Sequence, residues 1–365
     1  MRIYPNYTKM FFMDRKLVRT KSLSYRDALK EATVEEMRRD KDVFIYGIDI
    51  ADHKGIFGTT AGLAQQFGAK RAFSTPLCEE TLVGFGLGSA LAGLKPINVH
   101  MRVDFLLLAM NQLANMVSSW HYGSGGKMKV PLVIRAVIGR GWGQSYQHNK
   151  SMQSVFAHIP GLKIVMPTTP EDAKGLLITA IRDNNPVLFI EHRWLYDAVD
   201  VVPLHQKPLP FGKARILRSG KDITIVATSW MNVEALKAAE ILARRSIDVE
   251  IIDPRTIVPL DEKAIIRSVE KTRRCIVADY DWGFCGFSAE IAARVSQECF
   301  GRLRAPVGRI HFAQTPCPCT RPLEISFYPG AEAIIRAVES QFKLSPSDLS
   351  EENFYSYERK FKGPF

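Results

Sequence analysis

The sequence predicts an α/β protein of two domains, each built on a mainly parallel sheet. Three observations carry this expectation. Apolar, β-rich runs of 5–9 residues alternate with amphipathic helical patterns along the whole chain, which is the pattern of repeated βαβ units. The length of 365 residues exceeds what one ordinary core supports and suits two domains of roughly 150 residues each. The composition, 46% hydrophobic and 24% charged, is that of a globular chain, and no apolar run approaches the roughly 20 residues a membrane span needs.

Strands are expected at 43–50, 96–100, 131–138, 162–167 and 187–191, then at 222–228, 248–253, 275–280 and 306–312. Helical periodicity falls between them, at 25–40, 81–94, 105–121, 170–183, 232–245, 261–272, 288–300 and 330–342. The helix at 170 has the best-marked start: Thr169 can cap it, Pro170 suits its first turn, and Glu171 and Asp172 complement the positive end of its dipole. At 194–213 the alternation pauses, and Asp197, Asp200, Pro203, Pro208 and Pro210 bring linker chemistry. The expected organisation is an extension over 1–24, a first domain over 25–200, a second over 201–342 and a tail over 343–365.

A net charge of +11 invites a nucleic-acid reading. Basic residues are interleaved with acids, as in Glu35-Glu36-Met37-Arg38-Arg39-Asp40, and no nucleic-acid motif is present, so a solvated surface or an oppositely charged partner is the expectation. Six cysteines without framework spacing suit a reducing compartment, and the lone Cys317-x-Cys319 pair does not make a zinc site. Residues 1–24 carry six Lys or Arg against one acid, Asp14, but Met10-Phe11-Phe12-Met13 is too short for a secretory core. A cytoplasmic protein is expected, with an organellar presequence as the alternative.

Two stretches could carry chemistry. The first runs from Ser74-Thr75-Pro76-Leu77-Cys78-Glu79-Glu80 into a helix with Gly84, Gly86, Gly88 and Gly93. Ligands of open parallel sheets bind beyond the carboxyl ends of strands, which places Glu79 well for catalysis. By position alone, Glu79 and Glu80 equally suit a helix N-terminus. Each glycine costs that helix roughly 1 kcal/mol of propensity, which implies close approach to another backbone, from a neighbouring helix or a second subunit. The second stretch is Gly139-Arg140-Gly141-Trp142-Gly143-Gln144-Ser145-Tyr146-Gln147-His148-Asn149, a pliable loop offering an imidazole that can titrate near neutrality. A lone loop histidine is also a common surface residue.

Together with Phe57-Gly58-Thr59-Thr60-Ala61-Gly62-Leu63, Ser124-Gly125-Gly126, Val130-Pro131-Leu132-Val133-Ile134-Arg135, His158-Ile159-Pro160-Gly161-Leu162-Lys163, Ile181-Arg182-Asp183-Asn184-Asn185-Pro186-Val187 and Gly286-Phe287-Ser288-Ala289-Glu290-Ile291, these stretches form an ordered set. The set resembles the beta subunit of the thiamine-diphosphate-dependent first component of 2-oxoacid dehydrogenase complexes, of the pyruvate, branched-chain and acetoin types. The resemblance implies a pyrimidine-binding thiamine diphosphate domain followed by a transketolase C-terminal domain, in an α2β2 assembly with an alpha subunit. It implies decarboxylation of a 2-oxoacid and acyl transfer to lipoamide, with a lipoyl acyltransferase as a further partner. It also gives roles to residues: Glu79 hydrogen-bonds the aminopyrimidine ring and protonates its nitrogen, Phe105 stacks on that ring, Met101 lies beside it, and His148 faces the reacting end. The carbonyls of Leu132, Ala180 and Asp183, with Asn185, match a structural potassium site, where an ordinary strand-edge turn is the plain alternative. Thiamine diphosphate also needs Mg²⁺, and the G-D-G motif that usually holds it is absent from the sequence. The expectation is half a site, completed by an alpha subunit.

The chain departs from the family at Ile48, Asn98, Val99, His100, Trp142, Tyr146 and Asn149-Lys150. These departures leave two alternatives open: a split, transketolase-like acyl or ketol transferase, and a non-catalytic regulatory subunit.

Overall fold

Uninterrupted apolar runs such as Val43-Phe44-Ile45-Tyr46 and Val187-Leu188-Phe189-Ile190 are long enough only for strands and carry no polar face, so they belong inside a parallel sheet. The computed structural model describes residues 19–139, 144–352 and 354. Residues 1–18 of the extension, Arg140, Gly141, Trp142 and Gly143 of the loop, and the tail at 353 and beyond 354 lie outside the described residues. The chain forms two units, 1–139 with 155–211 and 140–154 with 212–365. The segment 144–154 therefore belongs to the second unit although first-unit chain flanks it on both sides.

In the first unit the strands are β1 (Thr20–Ser24), β2 (Val43–Gly47), β3 (Ala72–Ser74), β4 (Lys95–His100), β5 (Val133–Ile138), β6 (Lys163–Val165), β7 (Val187–His192) and β8 (Val199–Pro203). Six of them pair in parallel in the order β6-β7-β5-β4-β2-β3. Every residue of β2, β5 and β7 is buried. The helices are α1 (Tyr25–Arg39), α2 (Leu63–Phe67), α3 (Glu79–Leu91), α4 (Val103–Leu106), α5 (Trp120–Gly123), α6 (Gln153–Ala157), whose first two residues fall in the second unit, and α7 (Pro170–Arg182). Thr169 caps α7 by accepting from the Asp172 amide at 3.1 Å, as its sequence predicts. Helix α7 packs on α1 through Lys174 to Glu31 (3.0 Å) and Glu35 (2.6 Å), and through Arg182 to Glu36 (2.6 Å).

Three expectations are corrected here. The helix over 105–121 is broken into α4, a 3₁₀ turn at Leu107–Ala109, a π-helical stretch at Gln112–Val117 and α5. The strand over 43–50 stops at Gly47, where φ is +149° and a Cβ would lie 2.3 Å from the Val99 carbonyl oxygen. Within the 194–213 stretch, Val199–Pro203 pairs antiparallel with β1 instead of running as linker.

The second unit holds β9 (Arg215–Arg218), β10 (Ile223–Ala227), β11 (Val249–Asp253), β12 (Thr256–Val258), β13 (Cys275–Trp282) and β14 (Gly308–Phe312). Its five-stranded sheet has the order β14-β13-β10-β11-β9, parallel except for the β9 edge. Helices α8 (Trp230–Ala243), α9 (Glu262–Thr272), α10 (Phe287–Glu298), α11 (Arg321–Phe327) and α12 (Ala331–Gln341) complete it. Among the described residues no helix is long and apolar enough to cross a membrane, and all six cysteines are free thiols.

The glycine helix α3 separates into two faces. A Cβ on Gly86 would meet Tyr46 Oη at 2.5 Å and Leu132 Cδ1 at 2.9 Å, whereas one on Gly88 would meet nothing within 4 Å. The close approach at Gly86 is thus to side chains of the same unit, Tyr46 of β2 and Leu132 just before β5, and not to another backbone as expected. Gly86→Ala gains up to about 1 kcal/mol of helix propensity but overpacks this contact by roughly 1–3 kcal/mol. It is expected to lower the thermal midpoint, with Gly88→Ala unchanged or slightly raised; equal midpoints for the two variants would refute the assignment.

Candidate active site

The first candidate region is built at the carboxyl ends of adjacent parallel strands. From β2 the chain passes to β3 on one side and then returns past β2 to β4 on the other. Connections that leave in opposite directions open a crevice beyond the strand ends, the usual ligand position in such sheets. Glu79 follows β3 and opens α3, while Met101 and Phe105 follow β4.

Local hydrogen bonds fix this edge. The Thr75 amide donates to the Gly47 carbonyl at 3.0 Å, tying the loop after β3 to the end of β2. Tyr46 Oη donates to the Leu82 carbonyl at 2.7 Å and pins the first turn of α3. Beneath that turn Phe44, Tyr46 and Phe73 stack, with Phe85 edge-on to them. Arg102 Nη1 donates to the Gly139 carbonyl at 2.7 Å, joining the ends of β4 and β5.

Glu79 is only 8% exposed, yet its carboxyl makes no hydrogen bond to any described residue. Its neighbour Glu80 is exposed and accepts from Gln112 Nε2 at 2.7 Å. The Glu79 oxygens are not sealed from solvent; they are open to a ligand, and a ring nitrogen is a suitable partner. Met101 and Phe105 are half-buried at the same strand-end edge.

His100 is different in character. It is buried, its Nε2 lies 2.6 Å from Asn98 Oδ1, and burial pushes its pKa down to about 4, so it is neutral. This departure from the family is a core contact within β4.

The residues of the expected cation site all lie in the first unit. The Leu132 carbonyl accepts from the Val187 amide at 3.0 Å, and the Ala180 carbonyl from the Asp183 amide at 3.3 Å, leaving each a second lone pair. The Asp183 carboxylate takes Lys163 Nζ at 2.7 and 2.6 Å and the Asn185 amide at 2.8 Å. Its backbone carbonyl, not its side chain, is the atom left for a cation. Among the described residues no group of three or more His, Cys, Asp or Glu side chains could hold a metal.

His148 belongs to the second unit, where it ends the 3₁₀ turn Ser145–Gln147 and is half-buried. Beside it Tyr146 and Lys150 line a cavity of about 410 Å³ with Trp282, Gln314, Thr315, Pro316 and Cys317. Trp282 Nε1 donates to the Thr315 carbonyl at 3.0 Å across that wall. The cavity was not legible in the sequence, because its walls come from segments more than a hundred positions apart.

Two family descriptions match the chain: the transketolase pyrimidine binding domain over residues 21–198 and the transketolase C-terminal domain over 212–334. They define the class, a transketolase-like pair of α/β domains in that order. A solved structure titled split gene transketolase, inactive beta4 tetramer, shares the fold with a TM-score of 0.68 at 19% identity, covering 89% of this chain and all of that one. Three relatives are more similar in sequence. The pyruvate dehydrogenase E1 component subunit beta of Rickettsia conorii is 42% identical over 317 residues, covering 87% of this chain and 97% of that protein. The acetoin:2,6-dichlorophenolindophenol oxidoreductase subunit beta of Cupriavidus necator is 40% identical, with 88% and 98% covered. The 2-oxoisovalerate dehydrogenase subunit beta of Bacillus subtilis is 41% identical, with 79% and 88% covered. The chain belongs to this family of 2-oxoacid and acetoin dehydrogenase beta subunits.

Proposed function

We propose that the chain is the beta subunit of a heteromeric, thiamine-diphosphate-dependent 2-oxoacid dehydrogenase that decarboxylates a 2-oxoacid and passes the acyl group to lipoamide. The observation that carries this reading is Glu79 at the strand-end crevice, 8% exposed and with no hydrogen bond from its carboxyl to any described residue. Thiamine diphosphate, when bound, supplies the nucleophilic carbon and the electron sink that decarboxylation requires. Glu79 presents an acid that holds the cofactor's pyrimidine nitrogen and delivers a proton to it. An amide could hold the ring but not protonate it. Phe105 offers a face for stacking, and Met101 apolar contact beside it. His148 gives or takes a proton at the substrate's oxygen.

Mg²⁺ and the diphosphate are assigned to an alpha subunit, in an α2β2 assembly that serves a lipoyl acyltransferase. The carbonyls of Leu132, Ala180 and Asp183, with Asn185, suit K⁺, since hard cations take oxygen ligands. A split transketolase-like transferase is the second reading, favoured by Tyr146 and Lys150 at the cavity wall.

The test is reconstitution with the alpha subunit over a panel of linear, branched and aromatic 2-oxoacids, reading carbon dioxide release and reduction of lipoyl protein. Decarboxylation coupled to lipoyl protein is expected. No turnover of any acid would sink the proposal, and carbon–carbon bond formation without lipoyl protein would select the second reading.

A further inference from the structure

The segment 144–154 has little structure of its own. Among the described residues its regular structure is the 3₁₀ turn Ser145–Gln147, closed by the His148 amide on the Ser145 carbonyl at 3.5 Å, and the first two residues of α6. Side-chain bonds, together with the Ser154 amide on Asp281 Oδ2 at 3.5 Å, hold it in the second unit. Gln153 Nε2 donates to Asp279 Oδ1 at 2.8 Å and, more weakly, to the Tyr280 carbonyl at 3.4 Å. Ser154 Oγ donates to Asp281 Oδ2 at 3.1 Å and accepts from the Phe287 amide at 2.9 Å. Tyr328 Oη donates to the Asn149 carbonyl at 3.2 Å.

Of these anchors the Gln153 contact is the most enclosed. Gln153 and Asp279 are both fully buried, and Ser151 Oγ donates to Gln153 Oε1 at 2.6 Å, fixing which amide atom faces the acid. Asp279 also accepts from Thr228 Oγ1 at 3.1 Å and from the Ser288 amide at 3.2 Å, at the start of α10. Burial, with Asp281 nearby, pushes the Asp279 pKa up to about 7, and a hydrogen bond to this acid in a dry interior is stronger than the same bond in water. Asp279 and Asp281, two residues apart on β13, grip consecutive residues of the segment.

We propose that Gln153, seated on Asp279, is the positioning residue that fixes the His148 segment for turnover. The inference rests on the functional reading of His148 given above. It explains why a loop with one turn of regular structure ends in a buried amide–acid contact five residues after the imidazole. The same anchor sets the wall of the cavity that Tyr146 and Lys150 line.

The test uses the assembled alpha–beta pair. In Gln153→Ala, Asp279 keeps the Thr228 and Ser288 donors, so the second unit retains its acid's other partners. Turnover is expected to fall by about tenfold to a hundredfold, the scale of a misplaced catalytic group, with the KM for thiamine diphosphate unchanged. Amide exchange over 145–152 is expected to rise by about tenfold, as for a segment that opens locally. The reciprocal variant, Gln153→Glu with Asp279→Asn, keeps an amide–carboxylate contact with its ends exchanged, leaves the asparagine oxygen to accept from Ser288, and is expected to restore turnover and protection. Unchanged exchange in Gln153→Ala overturns the proposal, as does raised exchange with undiminished turnover, or failure of the reciprocal pair to rescue. A wild-type pair that turns over no 2-oxoacid defeats the functional reading alone, and exchange and rescue of protection then decide the anchor.

Discussion

Glu79→Gln is expected to lower turnover of the assembled alpha–beta pair by about 10²–10⁴, the range general acid–base groups supply, while the pair still binds thiamine diphosphate. Glutamine matches the shape of the side chain and can still hydrogen-bond a ring nitrogen, but it has no proton to give. The competing role is complementing the positive end of α3, since Glu79 is that helix's first residue. That role is worth about 0.3–1 kcal/mol of stability and nothing in turnover. The two readings therefore differ by orders of magnitude on one measurement, kcat at saturating cofactor. A Glu79→Gln pair with full kcat and a slightly lowered thermal midpoint would leave Glu79 as a helix-end acid.

The parts of the fold legible in the sequence are those whose signal is local. Strands β2, β4, β5, β7, β10, β11 and β13 each bury nearly every residue, and such runs announce themselves without knowledge of their neighbours. The cap of α7 is equally local, with Thr169 three residues from its partner. Strands β1 and β8 were illegible because Thr20-Lys21-Ser22-Leu23-Ser24 and Val199-Asp200-Val201-Val202-Pro203 become strands only by pairing across the chain. The breaks in 105–121 keep helical dihedrals and change only the hydrogen-bond register, which composition does not reveal.

The candidate site divides in the same way. The expectation for Glu79, Met101 and Phe105 rests on family motifs, and strand order places them after β3 and β4 at one end of the sheet. Gly86 was legible as a costly glycine, but its neighbours Tyr46 and Leu132 are forty or more positions away and were not. Gln153 carried no signal because its partner Asp279 lies 126 residues on. Arg135 belonged to a recognised motif with no role attached.

That role supplies the largest expected effect on stability. Arg135 is fully buried in β5, with Nη2 donating to Glu191 Oε2 at 3.0 Å and Nε donating to Oε1; Glu191, on β7, also accepts from Tyr196 Oη at 2.9 Å. Burial opposes the guanidinium's charge, but Glu191 beside it more than offsets this and holds the pKa above its ordinary value. Burial also raises the Tyr196 pKa well above its ordinary value, so the phenol stays a donor. Arg135→Met leaves the Glu191 carboxylate buried with Tyr196 alone among these donors, a loss of roughly 3–5 kcal/mol. At about 2–4 °C per kcal/mol for a domain of this size, the thermal midpoint is expected to fall by roughly 6–20 °C. Adding Glu191→Leu removes the stranded charge and is expected to recover much of the loss, because apolar replacements of a buried pair are often neutral. A midpoint drop of under about 3 °C in Arg135→Met would mean that Glu191 finds water or a proton instead. The strands joined by this pair lead to Gly139 and His192, where a Cβ on Gly139 would lie 2.8 Å from the imidazole. A sheet loosened at Arg135 is therefore loosened at the Gly139 carbonyl that Arg102 grips, and through it at the β4 end that carries Met101 and Phe105.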